Sequence, residues 1–199
     1  MQYKHVAAIL FATMLACSPA FAKEKQHEKH MDEKAMMEEW MKLATPGTPH
    51  KQLDSLVGSW TTKTKEWTDP SKPPQESEGT VDMKMLLGGR FLHQEYSGMM
   101  MGQPYTGIGI TGYDNLRKKY VTIWLDSMAT APFVMEGTAS PDGKTITLRG
   151  GHDEPGGGHM THRAVWSIPD AQHQTFEMYG AHGHEKETKQ MEILYTRKP

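Results

Sequence analysis

From Gly58 onward the chain is a succession of ten short segments rich in Val, Ile, Thr, Tyr, Phe and Trp, each closed by turn chemistry. Strands are predicted over 58–67, 76–87, 90–97, 105–113, 119–127, 133–140, 144–150, 160–168, 174–180 and 188–197. Among the turns between them are Leu87-Gly88-Gly89-Arg90, Asp114-Asn115, Pro141-Asp142-Gly143-Lys144 and Pro169-Asp170. Consecutive short strands with close connections give an all-β, up-and-down antiparallel meander of about ten strands, and closing it into a barrel removes its two unpaired edges.

The residues before this meander read differently. MQYKHVAAILFATMLACSPAFAKEK carries Lys4 and His5, an apolar run from Val6 to Ala16 and the small-x-small pattern Ala20-Phe21-Ala22. That is a secretory signal peptide over 1–22, cleaved after Ala22, and it implies a periplasmic or secreted protein. The alternative is a lipoprotein anchored at Cys17, because Met14-Leu15-Ala16-Cys17 loosely resembles a lipobox. Cys17 is the one cysteine, so cleavage after Ala22 leaves neither a thiol nor a disulfide. No segment reaches the roughly 20 apolar residues a transmembrane helix needs.

Residues 23–49 form a charged segment that runs into an amphipathic helix and ends in a Pro/Gly linker. Met36, Met37, Trp40, Met41, Leu43 and Ala44 recur at helical spacing, a face expected to pack on the domain or to dock a partner or a second copy. Thr45-Pro46-Gly47-Thr48-Pro49 then stops the helix. A turn at His50–Leu56 leads into the domain, which spans 50–199.

Gly58-Ser59-Trp60 opens the first strand, and Tyr195-Thr196-Arg197 ends the last. In lipocalin-like barrels a tryptophan at that first position is covered by an arginine from the final strand, a cation over an indole face contributing about 0.5–2 kcal/mol. Trp60 and Arg197 are therefore the expected barrel closure. The blocks LVGSW, GITGYDNLRKKYVTIWLDSM, EGTASPDGKTITLRG and EILYTRK, taken in order over Leu53–Lys198, resemble an exported bacterial family, domain of unknown function 1579 (DUF1579). The resemblance implies a lipocalin-like (calycin) barrel and no particular reaction.

In a meander the connections after the odd-numbered strands share one rim. That rim gathers Met99, Met100, Met101, Met128, His152, Asp153, His159, His182 and His184. Imidazole with thioether suits copper, and imidazole with carboxylate suits zinc. His159 and His162, three apart on one strand, face opposite sides, so a rim site would join His152 and His159 to His182 and His184, with Met99 and Met101 as further donors. Solvated histidines on a glycine-rich loop are the plainer reading, and no cofactor is required.

The strands offer a second candidate. Trp124 and Asp126 share one face, His93 and Glu95 another, and Glu136 and Arg163 add strand charges. Turned inward, these six would line an aromatic, charged pocket for a small ligand. If Val121, Ile123 and Leu125 point inward instead, the cavity is mostly apolar.

Enzyme signatures are missing: no G-x-S-x-G elbow, no H-E-x-x-H helix, no phosphate loop, so no catalytic residue is assigned. A formal net charge of -2 gives no electrostatic case for nucleic acid. The sequence therefore points to a barrel that binds a small, partly apolar molecule, with copper or zinc handling at the mouth as the alternative.

Overall fold

The computed structural model describes residues 32–199; the signal-peptide reading, Cys17 and the first part of the charged segment lie outside the described residues. Two helices, α1 (Glu33–Leu43) and α2 (Thr48–Asp54), precede ten strands. These are β1 (Gly58–Glu66), β2 (Gln75–Leu86), β3 (Phe91–Met100), β4 (Gln103–Asp114), β5 (Lys119–Asp126), β6 (Phe133–Ala139), β7 (Thr145–Asp153), β8 (His159–Ser167), β9 (His173–His182) and β10 (Thr188–Arg197). Each strand pairs antiparallel with its chain neighbours, and β1 pairs with β10, so the sheet is a closed barrel. Closure pairs the backbone of both terminal strands.

Alternation sets what each strand buries. Along β1, Trp60, Thr62, Thr64 and Glu66 are buried while Ser59, Thr61 and Lys63 are exposed. The connections before odd-numbered strands lie at one end, the floor, with α2 beneath it. There Leu53, Leu56, Leu92 and Ile146 are fully buried, Trp60 is 1% exposed and Trp166 3%.

The floor is held by the expected pair. Trp60 Nε1 donates to the Leu56 carbonyl at 3.0 Å, and the Arg197 guanidinium lies 4.2 Å from the Trp60 ring centroid. The same guanidinium donates to the carbonyls of Ala171 at 2.6 Å, Ser55 at 2.9 Å and Val57. Hydrogen bonds from a charged donor contribute about 1.5–3 kcal/mol each, so Arg197 ties the α2–β1 and β8–β9 connections to the end of β10. Gly58 is dictated by this arrangement. Its φ is +139°, and a Cβ there would sit 2.3 Å from Arg197 Nη1.

Helix α2 begins inside the run expected to be linker, and it replaces the expected turn. Pro49 falls in its first turn, where the absent N–H is not needed, and the Gly47 N–H donates to His50 Nδ1 at 3.0 Å. The Tyr120 hydroxyl donates to Gln52 Oε1 at 2.7 Å, and burial pushes that phenol up to about 12.

Helix α1 forms as the spacing predicts, but its apolar face does not pack on the barrel. Met36, Met37, Trp40 and Met41 are exposed, and none of its residues is buried. Its C-terminal end is tied to the floor by Asn115 Nδ2, which donates to the Leu43 and Thr45 carbonyls, and by Arg90, which donates to the Ala44 carbonyl. Those bonds satisfy carbonyls that the helix end leaves free.

The other strand predictions agree to within a few residues, except near the mouth. β3 and β4 continue to Met100 and from Gln103, because Met101 (φ 49°) and Gly102 (φ 75°) turn the chain in two residues. β7, β8 and β9 likewise extend to Asp153, from His159 and to His182. The connections after β3, β7 and β9 are therefore shorter than the sequence suggests, and part of the expected rim loop is strand.

Candidate functional site at the barrel mouth

Once the mouth residues are on strands, the two-residue period decides where each can point. His152 is the register partner of Met160, and Asp153 of His159. His152 and His159 therefore face opposite sides of the wall, which overturns their expected meeting across the hairpin. His159 instead binds Asp153 on the outside, Nδ1 to Oδ1 at 2.8 Å. The histidine that joins His152 is His162, with its Nε2 3.2 Å from His152 Nδ1. Phe133 packs edge-on against both rings. His182 Nδ1 is 3.0 Å from Glu154 Oε2, and His184 is exposed in the β9–β10 turn. Met99 and Met101, on and beside β3, lie across the ring from β8, so the expected union of methionines with histidines does not form.

The strand charges divide in the same way. Trp124 and Asp126 point inward, leaving Ile123, Leu125 and Val134 exposed on the outer wall. Trp124 lies flat over β4, where a Cβ on Gly107 would come within 2.2 Å of its ring, and its Nε1 donates to the Tyr105 hydroxyl at 2.8 Å. Asp126 Oδ1 accepts from the Met128 N–H at 2.8 Å, which shapes the β5–β6 connection.

Glu136, Arg163, His93 and Glu95 face outward, contrary to the pocket expected of them. Each sits one residue from an inward neighbour, as Glu136 beside Met135 and Arg163 between His162 and Ala164. Glu136 is paired with Arg117 and Lys119, whose hydrogen bonds hold its carboxyl below the usual range. Arg163 pairs with Glu187 and covers the Tyr179 ring. Glu95 lies 3.5 Å from both Lys84 Nζ and His93 Nδ1. A cleft of about 520 Å³ between β5, β6 and β7, bordered by Lys119, Glu136 and Arg149, belongs to this outer face, as does one of about 160 Å³ bordered by Asp82, Lys84 and Glu95.

The inner wall holds polar residues that the sequence reading did not single out. Thr62 Oγ1, Thr64 Oγ1 and Glu66 Oε1 on β1, with Ser77 Oγ on β2, are buried without a hydrogen-bond partner. Ser77 is the register partner of Thr64, so the four oxygens form one stripe running up to the mouth. Buried polar groups are nearly always paired, and an unpaired one is destabilising by about 1–3 kcal/mol. Burial raises the Glu66 carboxyl above its ordinary range, and the Met101 N–H, 3.4 Å from Oε2, only partly offsets it.

Tyr96 closes the stripe from the side: its hydroxyl is 2.6 Å from where a Cβ of Gly79 or Gly98 would be. Tyr105 and Tyr195 are also buried, and desolvation pushes both phenols up. Further around the wall Trp124, Phe133, Phe176 and Met191 pack against the core yet stay only partly buried. The interior thus offers a hydrogen-bonding edge on β1–β2 and an apolar, aromatic edge on β5, β6, β9 and β10. The stripe was within reach of the sequence: with Trp60 fixed inward by Arg197, counting by two gives Thr62, Thr64 and Glu66.

A family model described as "Protein of unknown function (DUF1579)" matches residues 45–197. No curated protein matches. Among solved structures, "Crystal Structure of Rv2717c from M. tuberculosis" is similar, with a TM-score of 0.56 at 15% identity over 78% of this chain and 100% of that one. At that identity the likeness shows the fold alone. A redesigned β-barrel is more distant, with a TM-score of 0.38 at 12% identity over 74% of this chain and 96% of that one. The chain belongs to the DUF1579 family, and its lipocalin-like barrel is the closed ten-strand sheet described above.

Proposed function

We propose that this member of the family is an exported barrel that binds a small, partly apolar molecule in its interior. The observation that carries the reading is the stripe of Thr62, Thr64, Glu66 and Ser77 oxygens, buried and without partners. A ligand with hydroxyl or amine hydrogens along one edge would satisfy them, while its apolar face rests on Trp124, Phe133 and Phe176. Glu66 is the selective element: desolvated as a carboxylate, it gains most from a donor that arrives with the ligand. Trp124 and Asp126 remain in the binding set; Glu136, Arg163, His93 and Glu95, on the outer wall, do not.

Native mass spectrometry on protein purified from its own source tests the reading. Wild-type protein is expected to retain a small molecule that Glu66→Gln and the Thr62→Val/Thr64→Val pair release. A wild-type chain that emerges empty, or variants that retain the same mass, would overturn it.

Export rests on the N-terminal sequence, and no helix among the described residues is long and apolar enough to cross a membrane. The exposed face of Met36, Met37, Trp40 and Met41 supports a second role, docking of a protein partner or a second copy through α1. Deleting 23–44 and comparing solution mass before and after tests it, an unchanged monomer being the result against self-association.

A further inference from the structure

We propose that His152, Met160 and His162 form a copper(I) site at the barrel mouth. The site lies on the β7–β8 arc of the wall, apart from the β1–β2 stripe, and does not depend on the ligand reading.

The two imidazoles supply the core of the geometry. His162 Nε2 and His152 Nδ1 are 3.2 Å apart, with the rings 14° from parallel. Two nitrogens bound to one ion at about 2.0–2.1 Å in a near-tetrahedral arrangement stand about 3.3 Å apart, so the pair already has the spacing of a chelate. In the metal-free protein one ring donates its N–H to the other, and for both nitrogens to bind an ion the donor ring takes its other tautomer, so that each neutral imidazole keeps one N–H on the nitrogen away from the metal. His162 is 7% exposed and its Nδ1 has no hydrogen-bond partner.

The thioether comes from the next strand. Met160 is the register partner of both His152 and His182, so it lies in the same row at the rim. Its Sδ is 3.8 Å from Gln190 Nε2, and the register sets Met160 on the same face of β8 as His162, two residues on. His152 is exposed and gives the ion a way in.

The donor set selects the metal. Among the described residues no group of three or more His, Cys, Asp or Glu is gathered to hold an ion, and zinc wants four such ligands or three and water. Two imidazoles and a thioether are enough for copper(I), which prefers soft donors and low coordination number. His159, held by Asp153 on the outer face, and Met99 and Met101, across the ring, have no part in it.

The test is an anaerobic titration of the mature protein with copper(I) against a colorimetric chelator, with zinc(II) run in parallel. One equivalent of copper(I) is expected. His152→Ala and His162→Gln should each weaken binding by at least about 100-fold, and Met160→Leu by about 10-fold. His159→Ala with Met99→Leu and Met101→Leu should leave it unchanged. His152 is exposed, so its variant reports on binding even if a His162 variant folds poorly, and circular dichroism checks each fold. Wild-type protein that takes up no copper(I), a His152→Ala variant that binds as well as wild type, or a Met160→Leu variant with full copper(I) affinity would each overturn the proposal.

Discussion

The barrel has a buried histidine near each end, and their surroundings differ. At the floor, His50 accepts a hydrogen bond from the Gly47 N–H and meets the Tyr113 ring edge-on. At the mouth, His162 leans on a second histidine and leaves its Nδ1 without a partner. The contrast extends to the neighbours. Floor polar groups such as Trp60 Nε1, the Arg197 guanidinium and the Tyr120 hydroxyl bind something, with Gln174 Nε2 left over there, whereas the unpaired oxygens of Thr62, Thr64, Ser77 and Glu66 form a stripe that leads toward the mouth. One end of the sheet is organised for stability, and the other keeps hydrogen-bonding capacity in reserve.

The largest effect that would break this contrast is at the floor. Trp60→Ala should lose about 3–5 kcal/mol in chemical denaturation, since it removes a buried indole, its hydrogen bond and the surface under Arg197. Gly58→Ala comes next, at about 1–3 kcal/mol, because the new methyl collides with the guanidinium in a backbone conformation that disfavours it. Substitutions at the other end should act in the opposite direction. Thr62→Val, Thr64→Val and Ser77→Ala remove oxygens that bind nothing, so each should be neutral or stabilising by up to about 1 kcal/mol without ligand. A loss above about 1 kcal/mol in any of them would mean that the stripe is structural after all.

The smallest effects are those of pH, and they separate the two kinds of buried acid and base. Burial raises Glu66, so its penalty is absent below the unfolded value of 4.5 and grows as pH rises through the folded value. Glu66→Gln should therefore raise the melting temperature at pH 7 and not at pH 4. Burial lowers His162, so the native state is weakened as pH falls from 6.5 through the folded value, where the unfolded chain takes up the proton first. His50 carries the same sign at the floor. Each single variant, His50→Gln or His162→Gln, should flatten part of the acid-side loss of melting temperature between pH 7 and pH 5; a slope that neither variant changes would remove both histidines from the account.

Much of the fold could be read from the sequence because its signals are local. Turn residues mark the ends of the strands, and Trp60 with Arg197 marks the seam. The inner face of β4 and β5 was harder, since Gly107 and Gly109 carry no side chain to show a period and Ile108, Ile123 and Leu125 point outward. Hydrophobicity there favours the wrong face, and the direction is set by Trp124 lying over the glycines. At the mouth, Gly151–His159 and the run from Gly98 to Pro104 read as loop, although backbone pairing carries both hairpins further. That extension of one to three residues exchanged His159 for His162 in the site.

The seam between β1 and β10 also has a consequence in time. Arg197 binds a carbonyl 140 residues earlier in the chain. At a synthesis rate of about 5–20 residues per second, β1 waits roughly 7–28 seconds for β10 to be made. During that wait its edge is open to any other strand, and Lys63 and Lys65 on its outer face are the kind of charge that discourages such pairing. The barrel completes late, and the lysines of its first strand protect the interval.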